Sequence, residues 1–157
     1  MTKKTEGISV FELFESMKQN ELNIAAIYKS FAEHFPKASV YWATLAVEEK
    51  AHASHINMLL NSYTDSIELE FGDINREDFE RMFRDVEEIK DNFLDSEPTL
   101  ADAVQKAVEI EETMLEQKCF KVIKTNDEQT RRILSILHDE TEEHLRRMQE
   151  FAGKIVI

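Results

Sequence analysis

Between Ile8 and Phe35 apolar side chains return every three or four residues, at Val10, Phe14, Met17, Ile24, Tyr28, Phe31 and Phe35. That spacing is the period of an α-helix with one oily face. A single acid, Glu21, interrupts the stripe. A long amphipathic helix cannot stand alone in water, so its face demands partners of similar length, and the rest of the chain must supply them.

It does so three more times. Pro36 breaks the first helix, and a second is expected from about Lys37 to Tyr63 with Trp42, Leu45, Ile56, Leu59 and Tyr63 on its seam. The two would form an antiparallel hairpin. TDSIELEFGDIN at 64–75 holds turn formers and Gly72, and REDFERMFRDVEEIKDNFL after it reads as a shorter amphipathic helix within a crossover. Ser96 is the expected N-cap of a third long helix, with Glu97 and Pro98 in its first turn and Leu100, Val104, Ala107, Met114 and Val122 on one face to about Lys124. The fourth is expected from Asn126 or Asp127 through Leu134, Leu137, Leu145, Met148 and Phe151. No segment alternates with period two over a useful length, which predicts no sheet. The expected fold is all-α: one domain over residues 1–157, a four-helix bundle of two antiparallel hairpins whose long crossover carries a short extra helix.

Composition agrees and narrows the function classes. With 157 residues, 3 Gly and 2 Pro, the chain suits one helical domain and not a turn-rich β fold. A net charge of −13 repels phosphate backbones and anionic lipid, so neither nucleic acid nor membrane is an expected partner. Cys119 is the single cysteine, so no internal disulfide and no C-x-x-C metal site can form. A reducing compartment fits, and MTKKTEGISVFELFES lacks an apolar run for a signal peptide, so a cytoplasmic location is expected.

The informative residues are those that break the seams. Extending the three-and-four steps turns Glu21, Glu49, His52, Glu111, Thr141 and His144 inward, spread over all four helices. Glu21 precedes Pro36 by 15 residues and Glu49 follows it by 13. At about 1.5 Å rise per residue the two lie within about 3 Å of one level. Glu111 and Thr141 likewise flank Asn126 by 15 residues each. Ionised carboxylates in an oily interior lose hydration and repel one another, so something must compensate. Divalent metal does so: Glu oxygens and His nitrogens suit iron, manganese or zinc, and Glu49 with His52 forms an i, i+3 pair on one face. Two such ions would bring four positive charges against three carboxylates.

Three stretches, ELNIAAIYKSFAEHFP at 21–36, LAVEEKAHASHINML at 45–59 and LHDETEEHLRRM at 137–148, resemble the rubrerythrin-like branch of the ferritin-like superfamily. The resemblance covers the long helices and omits the crossover. It implies that Glu21 and the nearby Tyr28 match the first-helix ligand and its tyrosine, a possible proton or electron relay. Glu49 and His52 match the second-helix Glu-x-x-His, Glu111 the third-helix Glu and His144 the fourth-helix His. It further implies a carboxylate-bridged di-iron centre reacting with peroxide or dioxygen, and the same residues would serve oxidation of Fe²⁺. The sequence departs from the pattern at Thr141, where a Glu is expected, with Glu140 and His138 as flanking substitutes, and at Lys118, where a second Tyr would stand. A rubredoxin domain is absent from the sequence, so electrons are expected from a separate donor, and a homodimer is the default assembly.

Plainer readings stand beside this one. Tyr28 is first of all a packed core aromatic, His34 and His55 are surface or helix-end residues, and Cys119 is a small buried hydrophobe. Glu48, Glu109, Glu112, Glu142 and Glu143 read as a solvated acidic face. The alternatives to a two-metal oxidoreductase are a non-redox protein holding one ion through Glu21, Glu49 and His52, and a metal-free degenerate bundle with a structural or binding role.

Overall fold

The computed structural model describes residues 10–64, 66–71, 76–116, 120 and 123–155. The chain is mostly helical, with five α-helices and one small sheet among those residues: α1 (Val10–His34), α2 (Ser39–Ser62), β1 (Leu69–Phe71), α3 (Arg76–Asn92), α4 (Leu100–Glu116), β2 (Ile123–Thr125) and α5 (Glu128–Ile155). Lys118, Cys119 and Val122 lie outside the described residues.

Helix α1 ends where proline chemistry requires. Phe35, before Pro36, leaves helical geometry at φ −118°, ψ 80°, and a single 3₁₀ turn, Pro36–Ala38, reverses the chain into α2. The two helices run antiparallel: Lys18 reaches Asn57, Glu21 approaches His52, and Tyr28 packs on Trp42. Helix α5 crosses α2 in the same sense, with His52 near Glu140, Glu48 on Arg147 and Tyr41 stacked on Phe151 at 4.2 Å. Helix α4 packs on α5 and meets α1 through Tyr28 and Glu111 and through Asn20 and Met114. These pairings link α1 to α2, α2 to α5, and α4 to both α5 and α1. The α1–α2 contact is aromatic: Phe31 meets Trp42 edge-on at 4.9 Å, and Tyr28 lies 5.6 Å from the same indole.

The crossover helix α3 lies on the outside of α1. Its buried stripe, Phe79, Met82 and Val86, follows the helical period, while Lys90 reaches Asn23 and the Phe93 ring packs on Phe31.

Three sequence expectations are corrected. The third long helix begins at Leu100, not at Ser96. Glu97 takes a left-handed φ of 50°, Ser96 Oγ bonds back to Phe93, and the capping box belongs to Thr99 and Asp102. Asp102 N donates to Thr99 Oγ1 at 3.1 Å while Thr99 N donates to Asp102 Oδ2 at 2.9 Å. The same helix ends at Glu116 and not near Lys124, because Ile123–Thr125 is extended. A sheet does form: β1 and β2 pair antiparallel with Leu69 opposite Thr125, Glu70 opposite Lys124 and Phe71 opposite Ile123. Three residues are too few for a period-two pattern to register, and the pairing joins the crossover to the α4–α5 connection. The start of α5 at Glu128, by contrast, lies beside the expected Asn126 or Asp127, and Asp127 caps the helix by accepting from Thr130 N at 2.9 Å.

Candidate metal centre

All five candidate ligands are buried. Glu21, Glu111 and His144 are each 2% exposed, and Glu49 and His52 each 1%. Each is held in place by apolar neighbours one turn away on its own seam, Met17 and Ile24 around Glu21, Leu45 and Ile56 around Glu49 and His52, Leu137 and Met148 around Thr141 and His144. The packing of α1, α2, α4 and α5 brings these side chains together.

Glu49 stands in the middle with one oxygen toward each histidine. Its Oε2 lies 2.9 Å from His52 Nδ1, and Glu21 Oε2 lies 3.6 Å from that same nitrogen. Its Oε1 lies 2.8 Å from His144 Nδ1, which is 3.9 Å from Glu111 Oε1. Two half-sites share one carboxylate: Glu21, Glu49 and His52 on one side, Glu111, Glu49 and His144 on the other. The two imidazoles stack at 5.0 Å with planes 22° apart.

The protons in this cluster show how hard it is to keep three acids buried. Burial pushes Glu21 up to about 8, with the Glu49 charge adding and a hydrogen bond with His52 opposing. Burial also raises Glu111 well above the carboxylate range, reinforced by the charge of Glu49 and partly offset by the Tyr28 hydroxyl, which donates to Glu111 Oε1 at 2.7 Å. Burial works against Glu49 too, but the imidazoles of His144 and His52 beside its two oxygens outweigh it and hold this acid well below its ordinary range. His52 resists the lowering effect of burial and rises to about 11 because Glu21 and Glu49 surround it. Tyr28 is raised well above 10.0 by burial and by the acids beside it. A bound cation would take over the compensation of these buried carboxylates that protons otherwise provide.

The donor set fits metal on a specific observation. Glu49 Oε1, His144 Nδ1 and His52 Nε2 are buried with no hydrogen-bond partner, although Glu49 Oε1 and His144 Nδ1 are only 2.8 Å apart. Buried polar atoms are almost always bonded. Two ligands about 2.0–2.2 Å from one ion at a right angle stand about 3 Å apart, the spacing seen here. Glu49, His52 and His144 each offer a ligand atom within 4.8 Å of the others.

The flanking residues sort differently. Thr141 is buried, but its hydroxyl donates to its own helix at Leu137 O, 2.8 Å away, and offers nothing to the cluster. His138 is buried and pairs with Glu142 at 3.0 Å, forming with Asp139 a second, separate group of potential ligands. Glu140 Oε2 lies 2.7 Å from His52 Nε2, on the outer side of the imidazole. Glu48, expected on a solvated face, is a correction: its Oε2 lies 3.0 Å from His144 Nε2, and Arg147 grips its two oxygens at 2.7 and 3.3 Å. Sequence reasoning missed Glu48 and Arg147 because their partners lie across the α2–α5 interface, where no local period points. His34 is exposed, as expected.

Family profiles, curated proteins and solved structures return no match to this chain. Among the described residues no helix is long and apolar enough to cross a membrane.

Proposed function

We propose that the chain is a ferritin-like four-helix bundle of the rubrerythrin type that binds two divalent ions, iron first and manganese or zinc as alternatives, and acts as an oxidoreductase. Its substrates would be peroxide or dioxygen, or Fe²⁺ itself. One observation carries the reading: five buried ligand candidates from four helices converge on a shared carboxylate, and Glu49 Oε1 and His144 Nδ1, 2.8 Å apart, lack hydrogen-bond partners.

Bound iron would supply the redox equivalents, drawn from an external electron donor. The chain's own residues do the rest. Glu49 spans the two half-sites, Glu21 with His52 and Glu111 with His144 complete them, and the surrounding Phe, Ile and Leu side chains keep bulk water out. Tyr28 holds a proton 2.7 Å from Glu111 Oε1, which places a transferable proton at the edge of the site. Glu48 meets the outer nitrogen of His144 and so orients that ring with Nδ1 inward.

Thr141 favours a second reading, one ion held by Glu21, Glu49 and His52, because its hydroxyl is committed to Leu137 and leaves the Glu111 side with fewer ligands. Metal analysis after anaerobic loading with Fe²⁺ decides: about two ions per chain supports the first reading, about one the second, and none overturns both. Peroxide or dioxygen consumption by the loaded protein then tests the oxidoreductase assignment.

A further inference from the structure

A pocket of about 220 Å³ opens between α2 and α5, walled by Glu48, Ala51, Glu140, Glu143, His144 and Arg147. His144 forms part of its wall, so the pocket borders the candidate centre from the solvent side. Its three acids are not equivalent. Arg147 grips Glu48, and Arg146 binds Glu143 through Nε at 2.9 Å. Glu140 has no Lys or Arg within ion-pair distance among the described residues. Its one close charged partner is His52, whose Nε2 lies 2.7 Å away.

That contact is unusual. His52 is 1% exposed, yet its Nε2 has no hydrogen-bond partner, so the short approach to Glu140 is out of line for one. The Glu140 side chain itself is 46% exposed. A carboxylate with one side in water and the other against an unpartnered buried imidazole nitrogen is placed to take a cation from solvent and present it to the interior. The separation again matches two ligands on one small ion.

We propose that this pocket is the entrance for divalent cations and that Glu140 with Nε2 of His52 forms a transient holding site on the way to the centre. The inference rests on the reading of the centre above. Glu140 acts in delivery and is not a permanent ligand, so its removal slows loading and leaves the final metal content unchanged.

Stopped-flow loading with Co²⁺ tests this directly, because Trp42 is the single tryptophan and packs on Tyr28, whose hydroxyl touches Glu111, so its fluorescence reports ions reaching the centre. Glu140→Gln is expected to slow the quench about tenfold with unchanged Co²⁺ per chain, because it removes the one acid of the pocket that no Arg offsets and with it the local attraction for cations. Glu128→Gln, which removes one acid from the same helix far from the pocket in sequence, is expected to leave the rate within about twofold. An unchanged rate in Glu140→Gln, an equal slowing in Glu128→Gln, or a lower metal content in Glu140→Gln would each overturn the entrance. Absence of Co²⁺ binding by the unaltered protein would instead overturn the centre itself.

Discussion

Tyr28 on α1 donates its hydroxyl to Glu111 on α4 across 2.7 Å in a fully buried position. This bond ties α1 to α4, two helices that are not consecutive in the chain. It also gives a buried acid of one half-site a fixed orientation. Replacing Tyr28 by Phe leaves Glu111 without that donor. The metal-free variant is expected to lose about 1–3 kcal/mol by urea unfolding, and the loaded variant to keep its metal while consuming peroxide more slowly. Unchanged stability would show that Glu111 finds another partner.

The two half-sites make separable demands on metal content. Glu21→Ala and Glu111→Ala should each hold about one ion per chain, and Glu49→Ala none, because Glu49 alone reaches both histidines. Elemental analysis of the three proteins after identical loading reads this out. Metal content in Glu49→Ala equal to that of the unaltered chain would remove Glu49 from the centre.

Protons and metal compete for the same buried atoms, which gives the apo protein an inverted pH profile. Glu21 rises from 4.5 to about 8 on folding, and His52 from 6.5 to about 11, while Glu111 also rises. A raised group stabilises the fold fully below its unfolded value and loses that contribution as pH climbs through its folded value. Glu49 is lowered, so its contribution is present above the ordinary carboxylate range and fades only as pH falls through its depressed value. The melting temperature in EDTA should therefore be highest near about pH 5 and fall steadily toward about pH 9. Metal binding releases protons, so the gap between loaded and metal-free melting curves should widen over the same range. A flat profile in EDTA would mean that the acids do not retain their protons.

Thr141→Glu restores a fourth-helix carboxylate three residues before His144. Without metal this adds a buried acid to a crowded cluster and is expected to cost on the order of 2–5 kcal/mol. With metal it should tighten the second half-site, visible as an increased difference between loaded and metal-free melting temperatures. No gain on loading would argue that the Glu111 side does not bind an ion in the way its geometry implies.

The long helices and the inward placement of Glu21, Glu49, His52, Glu111 and His144 were legible in the residues alone. The reason is that both follow from a period of 3.6 acting within one helix. Even the matching heights of Glu21 and Glu49 need only the rise per residue and the position of Pro36. Tertiary structure decided what lies between helices: the pairing of β1 with β2, the grip of Arg147 on Glu48, and the placement of Glu140 against His52. It also moved the α4 cap from Ser96 to Thr99, where Glu97 turns left-handed before the helix begins. Such relations depend on distances through space between segments far apart in the chain, and periodicity, which is a local property, carries no record of them.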